Sequence, residues 1–393
     1  MSWRDQFGHV ARTIETVFPN EKALEELFAL GRPLRVKYGI DITSTSVTIG
    51  NGVPLRILRR FQELGHTAVL ILGDFTTRVG DPSGRDATRP VLGRAEIEAN
   101  MESWLDQMGV ILDLDQTEVR RNSEWLDALT PEEMVGLAGQ LTVAQMLERD
   151  SFQKRYGSGT PIHLHEFLYC LFQGYDSVAI ESDIELGGSD QLFNISMGRT
   201  LQKNAGQKPQ VCITNPLLEG IDGSKKMSKS LGNAIGVQEA PKDMFGLATR
   251  VPDEMVRRYF ELATDVADDE IDRLLATGDI WEAKKQMAGA IVTRYYDAET
   301  AMREREAFEK VFKQKELPDD IADFAVADSP VGIANLVRDA FGLSGGEARR
   351  LVQQGAVSID GAKVADPKSN VEVAGGEVLK AGKRKFARLV REA

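Results

Sequence analysis

LRVKYGIDITSTSVTIGNGVPLRILRRFQELGHTAVLILGDF, residues 34–75, holds two short apolar runs separated by a segment of different period. The first run, LRVKYGID (34–41), reads as a strand that stops at a Gly–Ile–Asp turn. Between the runs, Val53, Ile57, Leu58, Phe61 and Leu64 recur at helical spacing, and Gly65 marks the end. The last run, TAVLILGDF (67–75), is continuously apolar, as in a strand covered on both faces. Strand, helix, strand is a βαβ unit, which implies a parallel sheet with ligands gathered at the carboxyl ends of its strands. TSVTIGN (45–51) falls at such an end, where the helix begins. Thr48 and Asn51 suit an ordinary cap on the free N–H groups of a first turn. The same turn also suits an anion, and residues alone leave both readings open.

The remaining length, 393 residues in all, allows two or three domains with a substantial core. Hydrophobic residues make up 42% and charged residues 27%, an ordinary globular balance. MSWRDQFGHV has neither the basic start nor the apolar run of a signal peptide, and no apolar run is long enough to cross a bilayer. Cys170 and Cys212 have no metal-ligand spacing and imply no disulfide framework. A cytoplasmic protein is expected.

Net charge is −12, which by itself argues against a nucleic-acid partner. Its distribution argues otherwise. Residues 329–393 hold 11 Lys+Arg against 7 Asp+Glu, or +4, while the rest holds 37 against 53, or −16. A separate C-terminal unit with a polyanionic partner would produce this asymmetry, and so would a solvated basic face.

Along the chain, residues 95–155 are rich in helix formers, with a start signal at Thr130-Pro131-Glu132-Glu133. HEFLYCLFQGYDSVAI precedes what reads as a glycine-rich turn, ELGGSDQ. QVCITNPLLEG reads as a further buried strand, followed by the lysine-rich loop DGSKKMSKSLGN. From about residue 240 to 324 the pattern is helical and charged. Asp328-Ser329-Pro330 is the linker candidate, and beyond it SGGEARRLVQQGAVSIDGAKV reads as a short helix, a turn and a small hairpin. His163, His165 and Glu166 resemble a metal cluster superficially, since both imidazoles would share a face of an extended segment. A distant further ligand is not evident, and no protein-bound metal is expected.

KMSKS, residues 226–230, is the most specific signal, a pentapeptide expected by chance about once in ten thousand chains of this length. It could be only a basic surface loop. Two lysines three apart can also close over a polyphosphate and neutralise developing charge. KMSKS resembles the second signature of the class I aminoacyl-tRNA synthetases, whose first signature is HIGH at a helix N-terminus after the first strand. TIGN (48–51) occupies that first position and keeps the Ile and Gly. It is similar to the form usual in the related tryptophanyl enzymes. Gly50 lets a nucleotide approach the backbone, and Thr48 and Asn51 carry donors that could replace the ring N–H groups.

GDFTTRVGDPSGR, EFLYCLFQGYDS and ELGGSDQLFNISMGR resemble the bacterial tyrosyl-tRNA synthetases, and the likeness runs across most of the chain. It implies an α/β fold: a Rossmann-like parallel-sheet catalytic domain (1–237), a helical domain (238–328) and a small α+β RNA-binding domain (329–393). The last is similar to the module of ribosomal small-subunit protein four. The resemblance further implies that Asp176 accepts a hydrogen bond from the substrate phenol, while Asp81, Tyr169 and Gln173 hold its ammonium. Gln191, Gly39 and Thr76 line the same pocket. Asp41, Gly188 and Asp190 would meet the substrate or the adenylate ribose. Gly50, Asn51, Met227, Ser228 and Ser230 would lie along ATP, with Arg85 and Arg89 at its pyrophosphate. Lys226, Lys229, Thr43 and Thr48 would stabilise the pentacoordinate phosphate. Mg²⁺ would accompany ATP, and a homodimer is implied. Arg349, Arg350, Lys383, Arg384 and Lys385 are the expected tRNA contacts.

Two positions depart from the family pattern. Where many members carry a tyrosine that meets the phenol, this chain has Lys37, which strand alternation puts on the face of Gly39 and Asp41. A contact from Lys37 to the substrate is the expectation. The proline that usually follows the aspartate matching Asp41 is Ile42. Taken singly, each pocket residue could be a cap, a turn or a surface neighbour. The reading is a tyrosine–tRNA ligase, with a synthetase for another aromatic amino acid, or a catalytically silent RNA-binding paralogue, as its rivals.

Overall fold

Strands β1 (Thr16–Phe18), β2 (Arg35–Ile40), β3 (Thr67–Leu72), β4 (Thr117–Arg121), β5 (Ile184–Gly188) and β6 (Val211–Asn215) form one sheet. Its order in the computed structural model is β1-β6-β5-β2-β3-β4, and the structure describes residues 3–82, 93–314, 321–327, 329–382 and 385–391. Every pairing from β2 to β6 is parallel, and only β1 runs against its neighbour. From β2 the chain first builds outward to β3 and β4, then returns to lay β5 on the other flank of β2. The carboxyl ends of β2 and β5 are therefore the switch point of the sheet, where a crevice opens between diverging connections.

The expected βαβ unit is present. Helix Ile49–Glu63 joins β2 to β3 and buries Ile49, Val53, Leu55, Ile57, Leu58 and Phe61. Each such side chain contributes about 1.5–3 kcal/mol of apolar burial, which seats the N-terminus of this helix firmly at the crevice. β3 is covered from Ala68 to Leu72, as its continuous apolar run requires.

ELGG is not a turn. It is β5, in the middle of the sheet, and its glycines answer to packing. A Cβ on Gly187 would come within 3.2 Å of Gln191 Cβ, and one on Gly188 within 2.7 Å of Asp190 Oδ1. His163 and His165 are not on an extended segment either. His163 caps helix Leu164–Ala179, where its N–H donates to Glu166 Oε1 at 2.8 Å, and the two imidazoles stack at 5.6 Å. Glu166 is also ion-paired with Arg155. Among the described residues no three His, Cys, Asp or Glu side chains group as a metal site.

Residues Met1–Arg305 form one compact unit and Glu306–Ala393 a second. The helices Pro241–Ala248, Val256–Ala263, Asp268–Ala276 and Ile280–Tyr295 belong to the first. In the second, β7 (Asp323–Val326), β8 (Val331–Gly332), β9 (Val357–Ile359), β10 (Ala362–Lys363), β11 (Asn370–Val371), β12 (Val378–Ala381) and β13 (Lys385–Arg391) accompany helices Ile333–Phe341 and Gly345–Gln353. Five strands make a sheet in the order β10-β9-β12-β13-β7, and β8 pairs with β11. Ile333, Leu336, Val337, Val352, Leu379 and Leu389 close its core.

A boundary at residue 329 is too late. β7 pairs in parallel with β13, and Val326 is buried in the same core. Phe324-Ala325-Val326 is too short a run to announce a strand, and its partner is distant in sequence. Among the described residues no helix is long and apolar enough to cross a membrane.

Candidate active site

Asp41 leaves the end of β2 into the crevice. Its Oδ1 accepts from Thr76 Oγ1 at 2.7 Å and its Oδ2 from the Tyr169 hydroxyl at 3.1 Å. Gly73 permits this meeting, since a Cβ there would lie 2.5 Å from Asp41 Oδ1. Asn122 Nδ2 donates both to Thr76 Oγ1 at 3.0 Å and to Asp176 Oδ2 at 3.3 Å. Trp125 Nε1 donates to the other Asp176 oxygen at 2.8 Å. One chain of hydrogen bonds thus runs from Asp41 at the strand end to Asp176, which is 3% exposed. Burial pushes the Asp176 carboxyl up to about 7, against the opposing pull of Lys37, Trp125 and Asn122.

A second group closes the other side. Gln191 Nε2 donates to Asp81 Oδ2 at 3.2 Å, Asn194 Nδ2 donates to Gln191 Oε1 at 2.9 Å, and the Arg149 guanidinium stands 3.8 Å from Asp81 Oδ1. Tyr169 and Gln173 lie one turn apart on helix Leu164–Ala179. Burial, then the charges of Asp41 and Asp81, hold the Tyr169 phenol well above its ordinary range, so it stays a donor. Gln173 Oε1 is buried and accepts no hydrogen bond among the described residues. A buried acceptor without a donor is a place for a ligand N–H. Gly39 sits between Lys37 and Asp41 on one strand face, where a Cβ would lie 3.9 Å from both Ile71 Cβ and Lys37 Cε.

Lys37 does not reach that crevice. Its side chain is fully buried, and its three N–H groups go to Glu185 Oε1 at 2.8 Å, Ser177 Oγ at 2.9 Å and the Gln173 carbonyl at 2.9 Å. No donor is left for a substrate phenol, so the expected direct contact is corrected to a buried ion pair.

TIGN caps its helix. Thr48 Oγ1 accepts from the Asn51 N–H at 3.3 Å, while Asn51 Oδ1 accepts from the Thr48 N–H at 3.0 Å and the Thr48 hydroxyl at 2.9 Å. This reciprocal box occupies the Thr48 hydroxyl and leaves Asn51 Nδ2 out of the cap. Gly50 brings the two signatures together. A Cβ on it would stand 3.5 Å from Met227 Cβ and 3.7 Å from the Leu218 carbonyl. The helix N-terminus and the KMSKS loop therefore pack against one another at Gly50 and Met227.

In that loop Lys226 Nζ lies 3.2 Å from Asp190 Oδ2, while Asp190 Oδ1 is buried without a partner among the described residues. Lys229 is exposed and Ser230 follows it in the turn Lys229–Leu231. Asn233 Oδ1 accepts from the Ser228 N–H at 2.8 Å. Thr43 is half-buried in the loop after β2, where its N–H donates to the Asp41 carbonyl at 3.0 Å.

Residues 29–313 match the family described as tRNA synthetases class I (W and Y), and residues 333–378 match the S4 domain. The chain belongs to the class I tRNA synthetases. It is 47% identical to the tyrosine–tRNA ligase of Moorella thermoacetica, over 98% of this chain and 95% of that one. The tyrosine–tRNA ligase of Symbiobacterium thermophilum is 48% identical over 93% of this chain and 92% of its own. The fold is shared with a truncated mitochondrial tyrosyl-tRNA synthetase of Aspergillus nidulans, at TM-score 0.65 and 23% identity over 79% of this chain and 94% of that one. It is shared too with the Archaeoglobus fulgidus tyrosyl-tRNA synthetase solved with L-tyrosine, at TM-score 0.62 and 19% identity over 78% of this chain and 100% of that one.

For this synthetase, the structure brings Asp41, Thr76, Tyr169 and Asp176 into one network and Asp81 and Gln191 into another. Arg85, Arg89, Lys383 and Arg384 lie outside the described residues. Arg349 and Arg350 are exposed on helix Gly345–Gln353, and Lys385 is exposed at the start of β13. Sequence reasoning missed Asn122, Trp125, Arg149, Asn194 and Glu185. Asn122 and Trp125 follow the carboxyl end of β4, which would have flagged them had TEVRR been read as a strand.

Proposed function

We infer that this synthetase is a tyrosine–tRNA ligase. It joins tyrosine to ATP as tyrosyl-adenylate, releases pyrophosphate, and passes the tyrosyl group to the 3′-terminal adenosine of tRNA. Asp176 carries the reading: a buried carboxylate held by Trp125 and Asn122 at the floor of a crevice whose mouth bears the KMSKS loop. Such a group wants a hydroxyl donor, and the phenol of tyrosine supplies one. The substrate ammonium goes to Asp81 and Gln173 Oε1, beside Tyr169 and Gln191. Gly188 and Asp190 Oδ1, which has no partner among the described residues, suit the ribose.

In the first step a carboxylate oxygen of tyrosine attacks the α-phosphorus of ATP. The bond from that phosphorus to the pyrophosphate oxygen breaks, and pyrophosphate leaves with its Mg²⁺. The carboxylate is already ionised, so no general base is needed, and positioning with charge stabilisation remains. Lys226 and Lys229 close on the phosphates, with Thr43 and the N-terminus at Thr48, Gly50 and Asn51 opposite. Arg85 and Arg89 take the leaving pyrophosphate. In the second step a ribose hydroxyl of tRNA attacks the activated carbonyl and AMP departs. The S4 unit, through Arg349, Arg350, Lys383, Arg384 and Lys385, holds the tRNA.

We further place the enzyme in the cytoplasm as a homodimer. Val135, Val143, Tyr156 and Leu164, exposed at 61–79% on successive helices, favour a second copy there. Pyrophosphate exchange with each of the twenty amino acids tests the assignment. Tyrosine alone should drive it strongly, and exchange driven equally by phenylalanine would overturn it.

A further inference from the structure

Lys37 and Glu185 are neighbours in register on β2 and β5, with side chains 0% and 1% exposed. Around them Ser177 Oγ donates to Glu185 Oε2 at 2.9 Å, and Gln210 Nε2 donates to the same oxygen. Desolvating two charges is expensive, and a well-packed apolar pair would serve a sheet interior as well or better. Stability alone therefore gives no reason for the pair. Its contacts give one. Lys37 holds the Gln173 carbonyl and the Ser177 hydroxyl, the two ends of the helical turn that presents Gln173 and Asp176.

We propose that Lys37 and Glu185 act together as a positioning unit for tyrosine selection, fixing the turn Gln173–Ser177 that presents Asp176. The proposal rests on the tyrosine-ligase reading and deepens it. Neither residue touches the substrate. Lys37 from β2 and Glu185 from β5 act on Asp176 as charges, Trp125 and Asn122 as neutral donors. Of the two charges Lys37 has the larger effect and favours the carboxylate, while Glu185 opposes it. Without the pair, the Asp176 carboxyl should hold its proton to higher pH. It would then offer the phenol a poorer acceptor at neutral pH.

Lys37→Met alone leaves Glu185 buried and unpaired, so the informative protein is the double variant Lys37→Met/Glu185→Gln, tested full length. With a wild-type melting temperature, its tyrosine KM in pyrophosphate exchange should rise at least about tenfold with kcat little changed. The phenylalanine KM should move less, so selectivity falls. The pH below which tyrosine KM climbs should shift upward. Wild-type selectivity and an unmoved pH break in the folded double variant would overturn the proposal. Should that variant unfold early, Ser177→Ala cuts the hydroxyl link but keeps both charges. It should raise tyrosine KM while leaving the pH break in place, and an unchanged KM would overturn the positioning role. Failure of the wild-type enzyme to use tyrosine would instead defeat the underlying reading.

Discussion

Trp125 Nε1 donates a 2.8 Å hydrogen bond to Asp176 Oδ1, while Asn122 holds the other oxygen of the same carboxylate. Two neutral donors orient the group without neutralising it, and burial leaves it titrating at about 7. In the unfolded chain an aspartate titrates near 3.9, so between these values the folded protein binds the extra proton. Stability contributed by this group is thus greatest at low pH and lost as pH rises through the folded value. Asp176→Asn removes the titration. Relative to the variant, the ligand-free wild type should lose up to about 1.4 kcal/mol of unfolding free energy per pH unit between roughly pH 4 and 7. Parallel stability–pH curves from urea titration would contradict this.

The same substitution should damage selection more than chemistry. With a carboxamide at 176, the phenol loses its ionic acceptor, and preference for tyrosine over phenylalanine in pyrophosphate exchange should fall by about 10- to 100-fold. Adenylation at saturating tyrosine should change far less. A preserved preference would move phenol recognition away from Asp176.

Lys226 and Lys229 differ in their surroundings. Both are exposed, but Lys226 is tied to Asp190 at 3.2 Å, and Lys229 lies in the turn that follows. Lys229→Ala should raise the adenylation barrier by about 2–4 kcal/mol, the loss expected for one donor to developing phosphate charge. Tyrosine affinity should hold. Lys226→Ala should in addition leave Asp190 unpaired and weaken ATP binding. Normal single-turnover adenylation in Lys229→Ala would take this loop out of the mechanism.

How far the sequence spoke for the fold depends on whether burial was apolar. β3 and helix Ile49–Glu63 were legible because the side chains they bury are nearly all apolar. β5 was not, because Glu185 and two glycines interrupt a strand whose neighbours are a lysine and a close-packed helix. β4 was missed for the opposite reason, since TEVRR at the sheet edge is polar throughout. At the site, Asp41, Tyr169 and Asp176 were legible through resemblance to a family, while Asn122 and Trp125 depended on seeing where β4 ends. Lys37 was placed on its strand face correctly, yet its partner sits on a strand read as a turn. A polar residue paired across two strands cannot be interpreted when one of the strands is unseen.

The Thr48–Asn51 cap predicts a loss that is partly structural. Removing either member breaks a reciprocal box, so Thr48→Ala and Asn51→Ala should each lower stability by about 0.5–2 kcal/mol. Because the Thr48 hydroxyl is engaged within the cap, its loss should slow adenylation less than loss of Asn51, whose Nδ2 lies outside it. Equal kinetic penalties from the two variants would mean that the cap opens when ATP binds.

β7 decides where the chain can be cut. A chain ending at residue 328 keeps Asp323–Val326 but loses β13, the strand with which it pairs, and exposes Phe324 and Val326 without their core. Ending at Gln314 removes β7 as well and keeps the whole of helix Ala298–Gln314, within which the first unit ends at Arg305. The shorter protein should therefore be the better behaved, with less aggregation on heating than the 328 cut. Both should form tyrosyl-adenylate at near wild-type rate, because every described residue assigned to ATP and tyrosine precedes the cut. Both should fail to charge tRNA at ordinary concentrations. In the intact enzyme tRNA affinity should fall steeply with salt, since Lys and Arg contacts to phosphates displace counterions. Exchanging Arg349, Arg350 and Lys385 for Ala should flatten that slope by about two to three contacts' worth without altering tyrosine-dependent pyrophosphate exchange. Undiminished charging by the chain ending at Gln314 would show that tRNA is held by the first unit alone.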